Sequence, residues 1–266
     1  MERDQVIAIA IMAPQLFLGA LLLLWRRKKL SITNCGGPIW RGSGGDAAAM
    51  IFSAFSLIFL LPEFVFQFFT EEWAPTLSEF IGCLALAIFG CASMGRGYFS
   101  FSNGKAQGKF GCTGMICRGI ANHLRATPPI FLVGMAWTQM LIFLHAKGLP
   151  ISIEAQELLV SMGNLPALAA AIALLGAVVL APIGEEILFR GAIYRYLKGT
   201  MGAPKAAVAS SLLFAILHGN LCALLPLFVL SLLITLAYEH DGNILPCIVM
   251  HCLFNCNGAA MALCAS

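Results

Sequence analysis

Charge is what this sequence has least of. Asp, Glu, Lys and Arg make up 11% of its 266 residues, where a soluble domain carries about 25%, so a domain whose whole surface meets water is excluded. Other absences narrow the chemistry. The ten cysteines form no C-x-x-C pair, which removes the usual zinc-ribbon and redox spacings; scattered through apolar runs, they read as small hydrophobes. The glycines show no G-x-x-x-x-G-K-[ST], so no phosphate-cradling loop is present, and no H-E-x-x-H marks a zinc-protease helix. A net charge of +3, without a basic stripe, gives no footing for a nucleic-acid partner. No repeat of fixed period is visible.

What the chain has instead is apolar length. It is 59% hydrophobic, and runs of about 20 residues, each able to span about 30 Å of hydrocarbon, recur along it. The expectation is an all-α, polytopic transmembrane helix bundle of about eight membrane spans, near 5–25, 48–69, 77–94, 128–146, 167–197, 204–220, 222–238 and 244–263. Segments 26–47 and 95–127, rich in Gly, Ser and basic residues, read as irregular loops. Arg26, Arg27, Lys28, Lys29 and Arg41 fall in the first, and Arg96, Lys105, Lys109, Arg118 and Arg125 in the second. Arg195, Lys198 and Lys205 flank the turn between spans five and six. Glu71, Glu72, Glu79, Glu154 and Glu157 belong to the opposite connectors, where Lys147 is the one basic residue. Basic connectors stay in the cytoplasm, so both termini are expected on the far side. The first span, with the non-positive start Met1-Glu2-Arg3-Asp4, reads as a retained anchor. Residues 1–147 are expected to be scaffold and 148–266 the catalytic helices, in a multi-pass protein of the cell (plasma or inner) membrane.

Three motifs lie in the last third: Glu185-Glu186-Ile187-Leu188-Phe189-Arg190, Phe214-Ala215-Ile216-Leu217-His218 and His251-Cys252-Leu253-Phe254-Asn255. An ionisable group at membrane depth costs about 2.5–3.5 kcal/mol on insertion scales, and therefore marks function. Folding spans five and six as a hairpin about 201–202 brings Glu185 level with His218, since both helices rise 1.5 Å per residue. A carboxylate and an imidazole at one depth can grip one water. Glu186 and Arg190, four apart, share a helix face and are expected to form an ion pair, leaving Glu185 to face another span. Gly184 permits close approach of a neighbouring helix. His251 and Asn255 also share a face and can offer N–H donors to one point, as an oxyanion hole requires. Phe214 is expected to pack beside the site, and Asn220 to cap the helix end after His218.

In this order, E-E-x-x-x-R, F-x-x-x-H and H-x-x-x-N resemble the CPBP family, the CAAX protease and bacteriocin-processing (Abi) enzymes that include the Ras-converting CAAX prenyl endopeptidase. The resemblance covers about 182–258 with all six positions matched. It implies an intramembrane glutamic endopeptidase: Glu185 and His218 activate water, His251 and Asn255 stabilise the oxyanion, and Glu186 and Arg190 support. The implied partners are membrane lipid and a peptide or protein substrate, lipidated or leader-bearing, with no cofactor. Three alternatives stand beside it. The same residues could bind Zn²⁺ through Glu185, His218 and His251; the buried charges could line an ion path; or the chain could be a non-catalytic scaffold or immunity protein.

Overall fold

The structure is a computed structural model that describes residues 3–25, 40, 42–70, 73–95, 111–151 and 165–265. Every regular element among them is helical, and there are eight helices: α1 (Arg3–Trp25), α2 (Gly44–Phe66), α3 (Ala74–Gly95), α4 (Cys112–Ala146), α5 (Ala167–Met201), α6 (Ala203–Leu217), α7 (Leu221–Asp241) and α8 (Leu245–Ala265). Arg26 to Lys29, Arg41, Glu71, Glu72, Arg96, Lys105, Lys109, Glu154 and Glu157, on which the charge bias rests in part, lie outside the described residues, as does Cys35.

Six of the helices, α2 to α5, α7 and α8, are long and apolar enough to cross a membrane. Large apolar side chains point outward on them, Phe52 at 73% and Leu132 at 65% exposure, an arrangement that suits lipid and not water. The protein is a multi-pass membrane protein. Of the eight expected spans, the first lies within the 23 residues of α1 and the sixth comes out shorter, as α6 at Ala203–Leu217. The limits of α6 are local. Gly202, at φ +83, breaks the chain away from α5, Pro204 sits in the first turn, and Gly219, at φ +62, turns it again after His218.

One loop expectation is corrected. Residues 112–127, read as irregular from their glycines and charges, form the first half of the 35-residue α4. Their polar face is docked: Arg118 Nε donates to Asp241 Oδ1 at 2.9 Å and Asn122 Nδ2 to Asp241 Oδ2 at 3.0 Å. Arg118 and Asn122 are four apart and meet one carboxylate at the end of α7, so the charges read as loop solvation are interhelical contacts. Farther along, His123 joins Gln15 of α1 and Asn257 of α8, with contacts of 2.8–3.1 Å.

Helices α3 and α5 run side by side in the same direction. A Cβ on Gly184 would stand 2.7 Å from Leu86 Cγ, so glycine is what lets the two backbones come this close, as the sequence led one to expect. Two helices change pitch where a proline follows. π-Helical turns at Ser56–Leu60 and Gly176–Leu180 each end one residue before an X-Pro step, Leu61-Pro62 and Ala181-Pro182. A proline has no N–H and its ring crowds the carbonyl four residues back, so the preceding turn widens. The buried core lies among α5 to α8, around Phe189, Phe214, Leu230, Ile234, Tyr238 and Ile248.

Candidate active site

Glu185 and Glu186 sit on a short α-helical stretch of α5, Ala181–Glu186, between the π turn Gly176–Leu180 and a second one at Ile187–Ile193. The two carboxylates diverge. Glu186 is fully buried and accepts from Arg190 Nη1 at 2.9 Å, the ion pair expected from the spacing. Arg190 Nη2 in turn donates to the Ser231 carbonyl at 2.8 Å and to Ser231 Oγ at 2.9 Å on α7. Glu185 points the other way, into a cavity, and its Oε2 has no hydrogen-bond partner among the described residues.

Glu186 is not committed to Arg190 alone. Its Oε1 also accepts from His251 Nδ1 at 2.8 Å, which fixes the ring of His251 and turns Nε2 toward Glu185 Oε2, 3.8 Å away. A single buried imidazole therefore stands between the two glutamates. His218, the residue that ends α6, donates Nδ1–H to the Phe214 carbonyl at 2.7 Å, leaving its Nε2 as the free face. The Phe214 ring is packed 4.6 Å from the His218 ring and 5.6 Å from the His251 ring, with the Arg190 guanidinium 5.5 Å from its centre. The F-x-x-x-H spacing thus supplies both a carbonyl one turn before the histidine and a spacer between the two imidazoles.

Glu185, His218 and Asn255 line one cavity of ≈ 220 Å³, together with side chains of α3, α5, α7 and α8. The hairpin argument is matched here: Glu185 and His218 reach the same space from α5 and from the end of α6. Asn255 donates Nδ2 to the Ala177 carbonyl at 2.8 Å. The origin of that free carbonyl is the proline after the π turn: Ala181 N–H reaches back to Gly176, and the next donor in that register would be Pro182, which has none. One amide hydrogen of Asn255 is therefore engaged with α5, and the His251–Asn255 pair shares a face without both donors converging on one point. Asn220 caps the start of α7, accepting from Ala223 N at 2.9 Å, instead of the end of α6.

Residues 167–257 match the family model of type II CAAX prenyl endopeptidase Rce1-like proteins. The segment is similar to the Rce1-like CAAX prenyl endopeptidases, and that family is one of proteases. No curated protein and no solved structure matches the chain. All six motif residues lie within the Rce1-like segment, and the cavity it lines is closed on one side by α3, which lies outside it. Sequence reading missed that wall. Thr76, Glu79, Phe80 and Cys83 of α3 line the same cavity; Glu79 had been grouped with connector charges although it falls within an apolar span, which was the available signal.

Proposed function

We propose that the protein is an intramembrane endopeptidase in which Glu185 takes a proton from a water held between its carboxylate and His218 Nε2. The water oxygen attacks the peptide carbonyl carbon, and the carboxyl of Glu185 then returns the proton to the leaving amine as the C–N bond breaks. Asn255, through the amide hydrogen not given to Ala177, and His251, through Nε2–H in its protonated form, stabilise the oxyanion, and Glu186 with Arg190 holds His251 in place. The observation that carries the reading is the difference between adjacent carboxylates. Glu186 is held through Oε1 by Arg190 and His251, while Glu185 has no Lys or Arg beside it among the described residues and faces a cavity shared with His218. Cleavage of a peptide panel by the reconstituted protein, compared with Glu185→Ala, tests it. Cleavage equal in both would leave the scaffold or ion-path reading. The substrate reading extends to a membrane-associated or CAAX-like peptide, with 1–147 as scaffold and 148–266 as catalytic helices.

We place the protein in the cell membrane with the α5–α6 turn facing the cytoplasm, following the basic connectors. The cavity then opens toward the starts of α3 and α5, on the non-cytoplasmic side. Lys105→Cys in a cysteine-free background should be labelled only after permeabilisation; labelling of intact cells would reverse the orientation.

A zinc-dependent reading has one observation in its favour. Both imidazoles donate Nδ1–H, one to a carboxylate and one to a backbone carbonyl, as zinc-binding histidines commonly do. Glu186, expected only to pair with Arg190, thus also orients His251. Against a full ligand set, no group of three or more His, Cys, Asp or Glu side chains placed to hold a metal occurs among the described residues.

A further inference from the structure

The cavity is longer than the reacting groups require. Phe80 of α3 lies against Gly176 of α5, and Leu86 and Ala87 lie against Gly184, so the two parallel helices keep a constant register. Glu79 is therefore level with Gly176, about nine residues before Glu185, or about 14 Å along the axis at 1.5 Å per residue. Both glutamates line the same cavity, and neither has a Lys or Arg partner among the described residues. Cys83, one turn beyond Glu79 on α3, lies between them, and the facing wall of α5 is built from Ala173, Gly176 and Ala177, small enough to leave room for a chain.

At 14 Å, Glu79 is too far from Glu185 to move a proton at the reacting atoms. It is an exposed carboxylate six residues into α3, lining the cavity with no cation beside it among the described residues, and so is placed to meet a positive group that enters. An extended peptide advances about 3.3 Å per residue, so the separation corresponds to about four residues of bound substrate. We infer that Glu79 is a specificity-determining residue that holds a cationic group of the substrate, a Lys or Arg side chain or an N-terminal ammonium, about four residues from the bond that is cut. The inference rests on the protease reading above and names the class of peptide its site takes.

The test uses the full chain in nanodiscs and a randomised dodecapeptide library. Sites cut by the wild type should be enriched about tenfold in Lys or Arg four residues away, the scale of one charge-assisted contact. Glu79→Gln should lose that enrichment, Glu79→Asp should keep it, and Glu79→Lys should replace it with Asp and Glu. In parallel, Glu185→Gln protein should retain Lys- and Arg-bearing peptides from the same library, and a Glu79→Gln, Glu185→Gln protein should not. If the wild type cuts nothing, the protease reading fails and the retention measurement still decides the role of Glu79. If the library is cut but the enrichment survives Glu79→Gln, or retention is unchanged by it, the assignment of Glu79 is overturned while the protease reading stands.

Discussion

Toward the α5–α6 turn, Glu186 lies against Arg190 and His251, Glu239 against Lys198, and Asp241 against Arg118. Toward the starts of α3 and α5, Glu185 and Glu79 face an open cavity with no Lys or Arg beside them among the described residues. The same side chain, a glutamate in an apolar helix, is neutralised at one level and left available one residue earlier. A buried charge without a partner costs several kcal/mol, whereas one facing a hydrated cavity does not. The difference teaches that pairing, more than burial, separates the structural acids of this bundle from the ones free to do chemistry.

The largest effect should come from the open side. Glu185→Gln should reduce cleavage to the uncatalysed background while the melting temperature stays within about 2 °C, because little packing is lost. The adjacent change, Glu186→Gln, should destabilise the protein by about 3–5 kcal/mol, as it strands Arg190 and releases His251. Thermal melts in detergent beside turnover assays would show this; equal melting temperatures for the two variants would end the division between paired and unpaired acids.

Asn255→Ala comes next. Removing one oxyanion donor costs about 10² to 10³ in kcat elsewhere, and the same is expected here with KM little changed. Because Asn255 also satisfies the Ala177 carbonyl, a smaller stability loss of about 1–3 kcal/mol should accompany it. Unaltered kcat with lowered stability would make Asn255 a strut and not a participant.

On the paired side, Lys198→Met should lower stability by leaving Glu239 buried without its cation, whose two contacts are 2.7 and 2.8 Å. The double change Lys198→Met, Glu239→Leu should recover most of it, since replacing both members of a buried pair is often nearly neutral. Turnover should follow stability in both; selective loss of kcat would carry function into the paired half.

The smallest effect concerns metal. Prolonged chelation should leave turnover unchanged if Glu185 is the base. Activity lost to chelator and restored by Zn²⁺ would make Glu185 a ligand and erase its contrast with Glu186.

Helix number and the Glu185–His218 meeting were legible because both follow from length and rise, quantities that apolar runs state directly. The Glu186–Arg190 pair was legible from four-residue spacing. What lay out of reach depended on other helices. Residues 112–127 look like loop until Asp241 supplies a partner for Arg118 and Asn122. The second contact of Glu186, to His251, joins positions 65 apart. Glu79 enters the cavity only because the glycines between α3 and α5 fix their register. The π turns have a local signal in Pro62 and Pro182, but the carbonyl that Asn255 meets could be found only by following donors along α5.

The turn at His218-Gly219-Asn220 ends one helix and begins another at the depth of Glu185. At 15 residues, α6 is about 22 Å long, short of a bilayer's hydrocarbon. α6 therefore ends inside the apolar layer, and the longer α7 starts from there. Below that turn the ion pairs and the Phe189–Phe214 contact, 5.0 Å between rings, close the bundle; above it lies the cavity. Under the proposed orientation, water entering the cavity should reach Glu185 and meet the paired, closed half of the bundle beyond it. For the hydrolase proposed above, this arrangement would admit solvent to the site while keeping the membrane it occupies closed to ions.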